Sequence, residues 1–202
     1  MGKIVISTNV TLDGVVQDPD GQEGFERGGW FHQFAGRHDL EQWVVNETDE
    51  ALGAEALLLG RRSFEWFASR APSMAERVSR RWADRMDSLP KYVVSSTLEH
   101  PRWSNTTVLG RDAVEQIAAL KHRGGGDILV YGSHQLVRTL MAHNLADELR
   151  LVVFPVVLGA GLRLFDEAGY IKPLQLLGTR RIGDGLLHHT YRFAPSSPAS
   201  SL

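Results

Sequence analysis

Cysteine is absent from all 202 residues. That excludes disulfides, thiolate nucleophiles and cysteine-held zinc. No apolar run approaches the roughly 20 residues that cross a bilayer as a helix. Charge of one sign is not in excess either: 22 Lys and Arg stand against 24 Asp and Glu, for a net charge of -2. Such a balance carries no electrostatic footprint for DNA or RNA. The basic pairs Arg80-Arg81 and Arg180-Arg181 are short and read as solvated. The histidines form no HExxH pattern, and His188 and His189 are neighbours in the alternating segment LLHHTYRF. Adjacent side chains in a strand point to opposite faces, so this pair is poorly placed to share a metal, and no metal site is expected. The first residues, MGKIVISTNV, read as a strand and not as the apolar core of a signal peptide. Ile6 stands where a myristoylation motif needs Ser or Thr. The expected location is the cytoplasm.

What is present is 43% hydrophobic sequence, enough for one compact domain, expected over residues 1–193. The Pro/Ser-rich remainder, 194–202, is expected to be a disordered tail. Short apolar runs at Lys3 to Ser7, Ala56 to Leu59, Tyr92 to Ser95, Thr107 to Leu109 and Asp127 to Tyr131 predict buried strands. Helical spacing predicts helices over Asp39 to Leu52, Met74 to Met86 and Asp112 to Lys121, the last with Asp112 as N-cap. After residue 145 the texture changes to three longer strands: Glu148 to Val157, Leu174 to Ile182 and Leu186 to Phe193. Gly183-Asp184-Gly185 marks a hairpin between the last two. The fold class is therefore α/β: a mixed, mostly parallel sheet with helices on its faces and a C-terminal antiparallel hairpin. The segment Gln17 to Gly29, rich in Gly, Asp and Pro, predicts a mobile loop.

Three candidate ligand signals lie at the C-terminal ends of strands, where open α/β sheets bind their ligands. The first is LVYGSHQLVRTL, in which a buried strand runs through Gly132 into a helix start at Ser133 and His134. Free N–H groups and the helix dipole there suit a phosphate, and glycine allows close approach. The second is LLLGRRSFE, where Gly60 precedes Arg61, Arg62 and Ser63. The arginines suit a nucleotide phosphate or are solvated turn residues, and Ser63 is a candidate cap. The third is VVSSTL, with hydroxyls at Ser95, Ser96 and Thr97 that suit phosphate or ribose, or simply form a turn. Their agreement in position weighs more than any one of them.

These pieces, in this order, resemble the dihydrofolate reductase superfamily. The resemblance is greatest to the C-terminal reductase domain of bifunctional riboflavin-biosynthesis deaminase-reductases and its stand-alone bacterial relatives. It rests on VTLDGVV, LLLGRRSFE, VVSSTL, ILVYGSHQLVRTL and LADELRLVVFPVVLGAGLRLF. It implies a three-layer α/β/α dihydrofolate-reductase-like fold, a homodimer, and NADPH as cofactor. By that resemblance Gly60, Arg61, Arg62 and Ser63 hold adenosine phosphates. Ser95, Ser96 and Thr97 flank the 2'-phosphate and ribose, and Gly132, Ser133, His134, Gln135 and Leu136 cradle the pyrophosphate. Family members often carry a second glycine where Ser133 stands. On the substrate side, Asp13 and Gly14 match an Asp-Gly turn near the nicotinamide, which contacts it through the backbone or is a plain tight turn, and Gly159, Gly161 and Leu162 lie near the substrate end of the pocket. Trp30, with Phe31 and Phe34, either walls a planar substrate or belongs to the core or a dimer contact. The superfamily places an acid on its first helix. Glu47, Asp49 and Glu50 occupy that helix here, and Asp49 is the expected catalytic residue on its inner face, or else a solvated carboxylate. The implied chemistry is reduction of the ribosyl group of a phosphoribosylaminopyrimidine. The rivals are reduction of a pterin or other small conjugated compound, and a nucleotide-binding dimer without catalysis. No zinc deaminase domain is expected, because its cysteine ligands are missing.

Overall fold

The structure, a computed structural model, describes residues 1–77, 79–165 and 171–194. The tail from 195 onward lies outside the described residues. Among the described residues, eight strands form one sheet: β1 (Lys3–Thr11), β2 (Ala54–Gly60), β3 (Lys91–Val94), β4 (Thr106–Leu109), β5 (Asp127–Tyr131), β6 (Glu148–Phe154), β7 (Leu174–Ile182) and β8 (Leu186–Phe193). Their spatial order is β4-β3-β2-β5-β1-β6-β8-β7. The strands from β4 to β6 in that order pair in parallel, and β8 is antiparallel to both β6 and β7. All eight expected strands are present. Two boundaries differ clearly: β1 runs on past Ser7 to Thr11, and β6 stops at Phe154, short of Val157, because Pro155 has no N–H for the ladder.

Among the described residues, six helices flank the sheet: α1 (Trp30–Gln33), α2 (Arg37–Gly53), α3 (Arg61–Arg77), α4 (Arg80–Ser88), α5 (Ala113–Arg123) and α6 (His134–Ala142). Alternation along the central strands divides the core between two layers. Ile4, Ile6, Leu58, Ile128 and Val130 face α5 and α6 with Ile117, Leu136 and Leu140. Val5, Leu57, Leu59 and Leu129 face the other way, toward Ala51 of α2, Phe64 of α3 and Trp82 and Met86 of α4. Both faces of these strands are apolar because both are covered. The fold is thus the expected three-layer α/β/α arrangement with a C-terminal antiparallel hairpin.

Local differences have local causes. The charged run expected as one helix to Met86 is divided. Ser79 is the N-cap of α4, its Oγ accepting from Trp82 N at 3.0 Å, while α3 runs back to Arg61. Because α3 starts directly after Gly60, Ser63 lies inside its first turn and does not cap it. Asp112 occupies the N-cap of α5 but makes no side-chain capping bond. The Gln17 to Gly29 segment is built around a buried carboxylate and is not a loose excursion. Asp18 accepts from Gln22 N, Glu23 N and Phe25 N at 2.7, 2.9 and 3.0 Å. Asp39 ties α2 to the β7–β8 hairpin: Oδ1 accepts from Asp184 N and Gly185 N, and Oδ2 from Gly36 N. Burial opposes its charge, but these three donors outweigh burial and hold its pKa below the ordinary value.

Candidate active site

The loops after β3, β2 and β5 are neighbours along the C-terminal edge of the sheet. The structure therefore brings together the three strand-end signals read from the sequence. Gly132 (φ +57°) and Ser133 (φ +60°) are successive left-handed residues that turn the chain from β5 into α6. The first bond of the α6 ladder runs from Val137 N to Ser133 O at 2.9 Å. The N–H groups of His134, Gln135 and Leu136 precede that ladder and form the positive end of a nine-residue helix. A Cβ on Gly132 would lie 3.2 Å from Ser63 Oγ, so the loops after β2 and β5 approach each other closely. Ser133 joins them: its Oγ accepts from Gly60 N at 3.0 Å and donates to Tyr131 O at 3.1 Å. The Gly60 N–H is thereby committed inside the protein.

Arg61 is held on both sides. Its Nε lies 2.7 Å from Glu65 Oε1, and its Nη1 donates to Thr97 Oγ1 at 2.5 Å. Arg62 and Ser96 are exposed. Ser95 Oγ accepts from Thr97 N and Leu98 N, so this hydroxyl also shapes its own turn. Glycine at 132, open helix N–H groups and an oriented guanidinium are a donor set that fits a phosphorylated dinucleotide.

On the substrate side, the Asp13 carboxylate accepts from Thr11 Oγ1 (2.7 Å), Gly159 N (2.8 Å) and Leu158 N (3.2 Å). Burial opposes its ionisation, but these bonds outweigh it and bring the pKa down to about 2. Arg163 Nε donates to Asp13 O at 3.1 Å, while the Arg163 carbonyl lies 2.8 Å from His134 Nε2. The Asp13-Gly14 turn, the loop bearing Gly159, Gly161 and Leu162, and the start of α6 are therefore one connected assembly. Gly14, Gly159 and Gly161 all have positive φ, and Leu162 is 44% exposed.

Two expected site residues are placed differently. Trp30 is fully buried, edge-on to Phe154 with ring centroids 5.2 Å apart, and donates through Nε1 to Gln17 O. It is a core residue and not an open pocket wall. Asp49 is exposed on the outer side of α2. The carboxylates that face the sheet are Glu47 and Glu50. Glu47 is buried, and that burial, with Glu50 beside it, pushes its carboxyl well above the ordinary carboxyl range. Glu50 Oε2 accepts from Ser7 Oγ at 2.7 Å, and its Oε1 lies 3.8 Å from Arg150 Nη1 and 3.5 Å from His188 Nε2. This polar group was missed. The available signal was polar residues inside apolar strands: Ser7 in KIVIS, Arg150 in ELRLVVF, and His188 in LLHHTYRF.

A model of the RibD C-terminal domain matches residues 2–188. The chain belongs to that family. It is 25% identical over 197 residues to the uncharacterised protein YyaP of Bacillus subtilis, covering 95% of each chain. It is 27% identical over 190 residues to YwjB of the same organism, covering 94% of this chain and 98% of that one. Among solved structures it resembles a putative riboflavin biosynthesis protein from Shewanella, with a TM-score of 0.69 and 19% identity over 96% of this chain and 99% of the other. Dihydrofolate reductase from Enterococcus faecalis, solved with NADP(H), matches with a TM-score of 0.54 and 15% identity over 96% and 97% of the two chains. The RibD reductase-type domain is therefore carried on the dihydrofolate-reductase-like fold.

Proposed function

We propose that this protein is an NADPH-dependent reductase of a small conjugated compound, with a phosphoribosylaminopyrimidine as the first substrate class to test. The observation that carries this reading is the start of α6. Two left-handed residues expose a helix N-terminus beside the loops of β2 and β3. In this reading the N–H groups of His134, Gln135 and Leu136 bind the pyrophosphate, and Arg61 with Ser95, Ser96 and Thr97 binds the 2'-phosphate. Asp13 acts through its hydrogen bonds, holding Leu158 and Gly159 in position. The cofactor supplies hydride; the chain orients it, excludes water and provides a proton. Glu47, inward-facing and with its carboxyl pushed well above the ordinary range by burial, takes the proton-donor role that sequence reasoning gave to Asp49. An inward acid on α2 also favours a second substrate class, pterin-like compounds whose ring nitrogen needs a proton during reduction.

NADPH and NADH titrations by nucleotide fluorescence test the cofactor. A charge-assisted contact contributes about 1.5–3 kcal/mol, so NADPH binds roughly ten- to a hundredfold tighter. Replacing Arg61 by Ala removes most of that preference. Equal affinity for the two cofactors in the unaltered protein would sink the assignment. Oxidation of NADPH with phosphoribosylaminopyrimidine and dihydropterin substrates then separates the two substrate classes. Tight cofactor binding with no reduction of either would favour the non-catalytic dimer.

A further inference from the structure

Behind α2 lies a buried polar group that cofactor binding does not use. Glu47 and Glu50 are three positions apart on one helix face and point at the sheet. Facing them are Ser7 on β1, Tyr131 on β5, Arg150 on β6 and His188 on β8. All four strands contribute from the same side, because Ser7 is in register with both Tyr131 and Arg150, and Val152 with His188. Two of these groups are buried without a hydrogen-bond partner: the Tyr131 hydroxyl and His188 Nε2. An orphaned buried donor or acceptor costs roughly 1–3 kcal/mol, so two in one place are not explained by packing. His188 Nε2 is 3.5 Å from Glu50 Oε1, near enough for charge attraction but without hydrogen-bond geometry. The Tyr131 phenol is 6% exposed and lies in the field of both Glu47 and Glu50.

The other charges around the group keep it short of cations. Arg150 is shared among Glu148 at 2.7 Å, Asp127 at 3.1 Å and Glu50 at 3.8 Å. From β7, Arg180 is committed to Asn46 Oδ1. Among the described residues, His188 is the other ionisable basic side chain against Glu50.

We propose that His188 and Glu50 form a relay that returns a proton to Glu47 after each turnover. The relay rests on the reductase reading above, with the nicotinamide as hydride source. Glu47 gives its carboxyl proton to the substrate as hydride arrives at the neighbouring carbon, and is left as a carboxylate. The Nε2–H bond of protonated His188 then breaks as an O–H bond forms on Glu50 Oε1. Glu50 passes a proton to Glu47, three positions away on the same face of α2, and becomes a carboxylate again. His188, now neutral, recovers a proton from water. Each cycle consumes one hydride and one solvent proton. His188 and Glu50 supply the proton donor without touching the substrate.

Two measurements test this on the intact protein. Infrared titration of the carboxyl band needs no substrate. One protonated carboxyl present at neutral pH should vanish in Glu47→Gln, and its midpoint should move in both His188→Gln and Glu50→Gln while NADPH affinity is retained. A band that survives Glu47→Gln, or a midpoint unmoved by both relay variants, would overturn the proposal. The second measurement is single- against multiple-turnover kinetics. In His188→Gln the first turnover should be retained and later ones slowed by roughly a hundredfold, whereas Glu47→Gln should slow the first turnover itself. Equal slowing of first and later turnovers in His188→Gln would mean a structural role and would also overturn the relay. If NADPH binds but no substrate is reduced, the reductase reading fails, and the infrared result still decides whether His188 and Glu47 are linked.

Discussion

At the residue scale, Glu47 shows how a candidate site is held against stability. Its carboxyl is buried, and Glu50 beside it also disfavours the charge. Its pKa in the folded protein is therefore above the ordinary value of 4.5. The sign follows from proton counting. Between the unfolded and the folded pKa, the native state holds a proton that the unfolded state has lost, so stability falls as pH rises through that interval. Glutamine keeps the shape and removes the titration. Glu47→Gln should therefore be more stable than the unaltered protein at neutral and higher pH, with the difference shrinking below about pH 4.5. Urea denaturation at several pH values measures it. A variant less stable at every pH would show that Glu47 is an ordinary paired carboxylate. A gain in stability with a loss of turnover is the pattern expected of a functional group kept in an unfavourable place.

At the element scale, the β5–α6 turn makes two demands on its residues. Gly132 has φ +57° and a Cβ there would press on Ser63 Oγ at 3.2 Å, whereas Ser133 accepts the strain of φ +60° and uses its hydroxyl to tie the β2 loop. That hydroxyl gives Ser133 a task that glycine could not perform. Ser133→Ala should leave the fold intact but release Gly60, weakening NADPH binding by roughly fivefold for one hydrogen bond of about 1 kcal/mol. Gly132→Ala should weaken binding more and also cost about 1–2 kcal/mol of stability from the left-handed backbone. Cofactor titration and thermal melts of both variants separate the two effects; identical losses in both would refute the division of roles. The existence of this turn was legible because an apolar strand, a glycine and an amphipathic helix are each strong local patterns. The inward face of α2 was not. Leu40, Trp43 and Val44 share helical spacing with the buried Glu47, but polar Asp39, Asn46 and Thr48 are buried too, so apolar spacing alone does not separate Glu47 from Asp49. The break at Ser79 was hidden for a related reason: a capping serine inside a charged run leaves the helical spacing almost unchanged on either side.

At the scale of the whole molecule, the sheet ends asymmetrically. β4, at one edge, has four residues. β7, at the other, has nine, and eight of them are exposed. A long edge strand offers a row of unpaired N–H and C=O groups to any other chain, and natural proteins cover or blunt such edges. Here Leu174, Leu176 and Leu177 on β7 and Leu187 on β8 add exposed apolar surface to that edge. Arg180 and Arg181 discourage indiscriminate pairing at its far end. A second copy of the chain is the occupant we expect, giving a homodimer in which the two hairpins cover each other. The α2 acids and Asp39 are anchored to this same hairpin through His188, Asp184 and Gly185, so dimerisation would also stiffen the wall behind the site. Light scattering should give the mass of a dimer at micromolar concentration. Leu176→Lys, which places a charge on the exposed leucine edge, should shift the protein toward monomer with its secondary structure kept. A monomeric unaltered protein, or a lysine variant that dimerises as well as the original, would place the contact elsewhere and leave β7 protected only by its charges.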